Sequence, residues 1–202
     1  MITDLKRIAN IHTGFTIRES VSYLADGDTK LLQSKDLPSN NHEINDITGL
    51  SLVDWRYDSD PQYLKQGSIV LLARGNPKAY VFRGSVSDKV TVGHIFVIIN
   101  LTTADVNPEY LAWFINKSSM AKEHFGINST GSVLNMTSIS TVRDLPVLIP
   151  SLAEQDGIIK RNQQTKHDIE IMKRMIELRQ EYNHAYNDQL LSNIQNTQLE
   201  SK

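Results

Sequence analysis

The chain of 202 residues contains no cysteine. That absence excludes disulfides and thiolate metal sites, and it suits a reducing cytoplasm. Long apolar runs are also missing. Runs such as Ile69–Ala73 are far too short to cross a bilayer, and the opening MITDLKRIAN lacks the apolar stretch of a signal peptide. The expectation is a soluble cytoplasmic protein. Several catalytic signatures are missing as well. There is no phosphate-cradling G-x-x-x-x-G-K-[ST], no G-x-G-x-x-G after a strand and no N-P-P-[FY]. Asn76-Pro77 is followed by Lys78 and reads as a turn. The six histidines (His12, His42, His94, His124, His167 and His184) are scattered without the spacing of metal ligands. The sequence therefore predicts no metal, no bound cofactor and no catalysis by this chain.

A large excess of either charge is missing, the formal net charge being −2, but the charges are unevenly placed. Between Asp26 and Asp60 eight acidic residues face three basic ones. Between Gln62 and Ile98 the balance reverses, with Lys65, Arg74, Lys78, Arg83 and Lys89 against Asp88 alone. A local basic strip can hold a polyanion on a near-neutral protein, because exposed charges are screened beyond roughly 8–10 Å.

The elements follow from spacing. Leu5–Ile11 reads as an opening strand or a turn of helix, and residues 26–60, rich in Asp, Asn, Ser and Gly, read as loops joining short strands. GSIVLLAR (67–74) is a buried strand, GNP (75–77) its turn and KAYVFRG (78–84) the returning arm. TVGHIFVIIN (91–100) reads as one more strand, central in its sheet. Asn107-Pro108-Glu109 opens a helix with a capping Asn and Pro at its first position, and the apolar spacing carries that helix to Gly126. Ser138–Leu145 supplies another helical turn and PVLIP a last short strand.

Ser151-Leu152-Ala153-Glu154 has the S-x-x-E pattern of a capping box. No proline follows, and Gly157 is the only glycine beyond it. A helix from Leu152 to about Ile194 would be on the order of 60 Å long, too long to lie along one small domain, so it needs a partner. Ile158, Asn162, Thr165, Ile169, Met172, Ile176, Arg179, Asn183, Tyr186 and Leu190 alternate steps of three and four, the coiled-coil period. Ile171, Met175, Leu178, Tyr182 and Ala185 form a second stripe. Two stripes fit a register shift, two partners, or one broad packing face. The predicted architecture is α+β: a head of twisted strands and short helices (1–150), a long helix (151–195) and a polar tail (196–202).

TGSVLNMTSISTVRDL followed by PVLIPSLAEQDGIIK resembles the junction in specificity subunits of type I restriction-modification systems, where a target recognition domain enters a helix. GSIVLLARGNPKAYVF and LLQSKDL resemble internal strands of such a domain. The chain departs from the usual subunit in size, with one domain and one helix where that subunit carries two of each. It also has Gly157 where a better helix former is expected.

The resemblance implies a homodimer on DNA. Two copies pairing their helices antiparallel through Ile158, Thr165, Ile169, Met172 and Ile176 would place two heads about a twofold axis, and so read a bipartite palindrome. Arg74, Asn76 and Lys78 flank one turn and become candidate base readers, since Arg pairs with guanine and Asn with adenine. Lys35, Arg83, Lys89, Thr130 and Ser132 become candidate phosphate contacts. Ile171, Met175, Leu178 and Tyr182 would dock methyltransferase subunits that use S-adenosylmethionine, and a restriction subunit could join. The competing expectation is a coiled-coil scaffold or adaptor that binds no DNA.

Overall fold

The structure, a computed structural model, describes residues 1–15, 27–39, 41–55, 61–127 and 136–200, with side chains through 196. Along the chain lie β1 (Ile2–Asp4), β2 (Ala9–Thr13), β3 (Thr29–Leu32), β4 (Glu43–Ile44), β5 (Ser51–Val53), β6 (Ile69–Leu72), β7 (Lys78–Phe82), β8 (Val90–Val92) and β9 (Phe96–Leu101). Then come α1 (Pro108–Lys117), α2 (Ser119–Ile127), α3 (Ile139–Arg143), β10 (Pro146–Leu148) and α4 (Leu152–Glu200). The fold is α+β, and its first compact unit is Met1–Asp156.

A five-stranded sheet of order β2-β9-β6-β7-β4 packs on a three-stranded sheet of order β5-β3-β8. Side chains alternate across the pleat. Val70, Tyr80, Phe82, Phe96 and Ile98 enter the core shared with Leu32, Val90 and Val92 of the smaller sheet. Their neighbours Ile69, Leu71, Ala79, Val81, Val97 and Ile99 are equally buried on the opposite face, where α1 packs on β7. A sheet covered on both faces yields near-continuous apolar runs instead of alternation.

This double burial corrects one expectation. TVGHIFVIIN is two strands, not one. Phe96 N–H donates to Gly93 O across a turn at 3.0 Å, and β8 leaves to pair with β3 while β9 joins β2 and β6. With both flanks apolar, no change of period marks the turn. The helix expected from Pro108 to Gly126 is also divided. Ser118 is extended (φ −68°, ψ 145°) and its hydroxyl accepts from Ala121 N–H at 3.1 Å, which ends α1 and caps α2. The start of α1 is as the sequence implies, with Asn107 Oδ1 accepting from Glu109 N–H at 2.8 Å.

β1 and β10 form a separate antiparallel pair, Ile2 opposite Leu148, that joins the two ends of the head. Tyr110 Oη donates to Leu148 O at 2.7 Å, fastening this pair to α1, and Arg143 donates to Ile11 O at 3.1 Å, fastening α3 to β2. Directly afterwards the capping box forms. Ser151 N–H and its hydroxyl both donate to Glu154 Oε2, at 2.8 and 2.7 Å. Gln155, fully buried, accepts from Asn107 N–H at 2.9 Å and donates to Asp105 O and Pro150 O at 2.8 and 2.9 Å. One amide side chain thus ties the first turn of α4 to the start of α1.

The second unit, Gly157–Lys202, is helical through Glu200. All 49 residues of α4 would measure about 74 Å. Its apolar side chains are exposed on both stripes, Met172 at 61 % and Met175 at 64 %. Among the described residues no helix is long and apolar enough to cross a membrane.

Candidate nucleic-acid interface

The loop between β6 and β7 is short because Gly75 takes φ +73°, a left-handed conformation open to glycine at little cost. Three neighbours fix it. Ala73 N–H donates to Ile95 O at 2.9 Å, and Thr137 N–H donates to Ala73 O at 2.8 Å beside an antiparallel bridge between Arg74 and Met136. On the third side Asn116 of α1 acts as a substitute strand. Its Oδ1 accepts from Ala79 N–H at 2.9 Å and its Nδ2 donates to Ala79 O at 2.8 Å. Arg74, Asn76 and Lys78 therefore project from an anchored backbone, all three exposed.

Beside this loop a cleft of about 220 Å³ opens toward α1 and α2. Asn76 and Lys78 line it from the loop, Lys117 and Lys122 from the two helices, with Ile115 and Phe125 among its apolar lining. No carboxylate lines it, and none of the three lysines forms an ion pair with a described residue. Lys117 and Lys122 were not singled out by the sequence. They lie about forty residues from the loop, and only the packing of α1 on β7 unites them with it.

Strand register sorts the remaining candidates. Leu72 lies opposite Phe96, and β3 runs parallel to β8 with Leu32 opposite Val92. The 3-10 turn Ser34–Asp36 bearing exposed Lys35 thus leaves the sheets at the same end as the Arg74 loop. Arg83 and Lys89 sit at the other end, after β7 and before β8. Lys89 adopts φ +50° to close a 3-10 turn. Arg83 is held by the carboxylates of Glu43 and Glu109, linking β4 to the first turn of α1. Burial lowers its pKa, but the bonds to the two glutamates outweigh that and leave it raised. Thr130 and Ser132 lie outside the described residues. No group of three or more potential metal ligands occurs among the described residues.

On α4, Thr165 Oγ1 is turned back to Arg161 O at 2.9 Å, whereas Ile169, Met172 and Ile176 of the first stripe are exposed, and Ile158 is half-buried. Ile171, Met175, Leu178 and Tyr182 of the second stripe are likewise exposed, and the Tyr182 and Tyr186 rings stack at 6.2 Å.

Residues 1–180 match the profile described as "Type I restriction modification DNA specificity domain". No curated protein sequence matches the chain. Among solved structures, the HsdS subunit from Thermoanaerobacter tengcongensis is similar with a TM-score of 0.59 at 12% identity, over 86% of this chain and 39% of that one. A chain from work on complex assembly and conformational transition of the type I R-M system gives 0.60 at 13%, over 86% and 40%. The type I restriction-modification S subunit from M. genitalium gives 0.53 at 11%, over 88% and 42%. At such identities the likeness is one of fold, and this chain spans about two fifths of each of those chains.

Proposed function

Because the chain belongs to the type I restriction-modification DNA specificity domain family, we propose that it reads DNA for a type I restriction-modification complex. It would hold one half of a bipartite site while partner subunits carry out the chemistry. The observation that carries this reading is the anchored loop from Ala73 to Lys78. Base readout needs donors and acceptors held at fixed positions, and a loop bonded on three sides supplies Arg, Asn and Lys in that state. Arg74 and Asn76 are the base readers in this reading, each good pair discriminating by roughly 1–3 kcal/mol. Lys35 takes a phosphate at the same end, and Thr130 and Ser132 stay candidate phosphate contacts on the family resemblance. Arg83 and Lys89 face the other end and are left out of the surface.

The arm α4 gives the reading its second part. A helix with apolar stripes along its exposed face is completed by a reversed second copy, packed through Ile158, Thr165, Ile169, Met172 and Ile176. Asn162, Arg179 and Asn183 in that seam would restrict register, as polar seam residues do in coiled coils. A twofold pair of heads reads a palindrome, and a stiff separator makes it bipartite with a set gap. Ile171, Met175, Leu178 and Tyr182 then dock the methyltransferase subunits, which bind S-adenosylmethionine, with a restriction subunit joining the assembly. No catalytic step is assigned to this chain.

Insertion of seven residues after Met172 tests the ruler. The arm lengthens by about 10 Å, or roughly three base pairs at ~3.4 Å each, and methylation mapping should show the gap widened by that amount. An unchanged gap defeats it. Binding itself is tested by salt. A reader of phosphates weakens steeply between about 50 and 200 mM, whereas a scaffold protein shows no retention of DNA at any salt.

A further inference from the structure

The structure assigns a second role to the cleft beside the loop: we propose that Lys117 and Lys122, with Lys78, seat a backbone phosphate of the bound duplex next to the bases that the loop reads. The inference rests on the DNA-reading function proposed above and adds to it a site on α1 and α2.

Three observations carry it. Lys78, Lys117 and Lys122 all line one cavity that has no carboxylate in its lining. Like charges gathered around a concave surface raise the local positive potential, and an anion is the species that relieves it. The volume, about 220 Å³, falls below the roughly 300–1,000 Å³ that cofactor-sized ligands occupy. The occupant is therefore a small anion or one projecting group of a larger polyanion. Finally, Lys122 lies in the first turn of α2, where the helix dipole disfavours a cation. Lys117, in the last turn of α1, suits its own helix. Lys122 does not, and a phosphate between the two helices gives it a purpose. Asn116, bonded to Ala79 on one wall, fixes the cleft to the backbone of β7, so the seat and the reading loop move as one body.

The test uses the chain of 202 residues carrying Lys117→Gln and Lys122→Gln. Its affinity is measured from about 50 to 200 mM salt for two probes: a random-sequence duplex and the tightest duplex selected from a random pool. One lost phosphate contact lowers the slope of log K against log salt by about 0.9 and the affinity near 0.1 M salt by roughly tenfold. The proposal expects that loss on both probes alike, with the selected sequence unchanged and the melting temperature intact, since both lysines are exposed and unpaired among the described residues. A slope equal to that of the unaltered chain overturns it. So does a loss confined to the selected duplex, which would make the lysines base readers. Inorganic phosphate that occupies the cleft, followed by NMR shifts at Lys117 and Lys122, without lowering DNA affinity would also overturn it. If the unaltered chain prefers no sequence, the DNA-reading function fails instead, a result visible before any variant is made.

Discussion

Replacing Gln155 by leucine should unfasten the start of α4 from the head while nearly preserving volume. In the native chain both amide protons and one carbonyl lone pair of this buried side chain are satisfied, by Asp105 O, Pro150 O and Asn107 N–H. Leucine leaves one backbone donor and two backbone acceptors without their partner. Each such loss costs about 1–3 kcal/mol when the group is buried. The backbone groups here are only partly so, and the lower half of that range applies, giving about 3–6 kcal/mol in total. A domain holds only about 5–15 kcal/mol in all. At about 2–4 °C per kcal/mol for a chain of this size, the melting temperature by circular dichroism should fall by roughly 6–24 °C. Gln155→Ala should fall further, because it also opens a cavity. A leucine variant that melts within about 2 °C of the native protein refutes the argument, since shape and not hydrogen bonding would then hold the joint.

Asn116→Ala should remove the protection of the Ala79 amide from hydrogen exchange, destabilise the head by about 1–3 kcal/mol and blunt sequence discrimination by the Arg74 loop; retained protection would show that the strand mimicry is incidental. Gly157→Ala should stabilise α4 by about 0.5–1 kcal/mol, because a Cβ there meets nothing within 4 Å; a lowered melting temperature would contradict this. Glu154 has its pKa held below the ordinary value by the Ser151 hydroxyl and amide. The folded value being depressed, this contribution is present above the unfolded value of about 4.3 and lost as pH falls through the folded one. The stability difference between the native chain and Glu154→Gln should therefore vanish on acidification past that point, and a difference that persists in acid would sink the assignment.

What the sequence disclosed divides by range. The α4 capping box, the Asn107 cap and the β6–β7 turn were legible because the groups that stabilise them sit within a few residues of one another. The α+β architecture followed from the change in apolar period, while α4 runs on to Glu200 where a polar tail was expected from 196. The seam between β8 and β9 was invisible, because burial on both faces of the sheet erases the period that would have marked it. The break at Ser118 depends on one hydroxyl turning back to Ala121, a choice a serine can make or decline. At the site, Arg74, Asn76 and Lys78 were adjacent in sequence and remain together. Arg83 looked equivalent, yet its carboxylate partners Glu43 and Glu109 are 40 and 26 residues away. Lys117 and Lys122 reach the site only through the packing of a helix on a strand, which no short window encodes.

The pairing of β1 with β10 has a consequence for biosynthesis. Ile2 is made well before Leu148, because the two paired strands stand at opposite ends of the head's sequence. At roughly 5–20 residues per second, the opening strand waits about 7–30 s on the ribosome for its mate, with its hydrogen-bonding edge bare. When that mate arrives, the next residues off the peptidyl-transferase centre are Ile149, Pro150 and the Ser151 cap. Completion of the lobe and nucleation of the rod thus coincide in time, and nascent chains stalled before Leu148 should be the ones that chaperones retain.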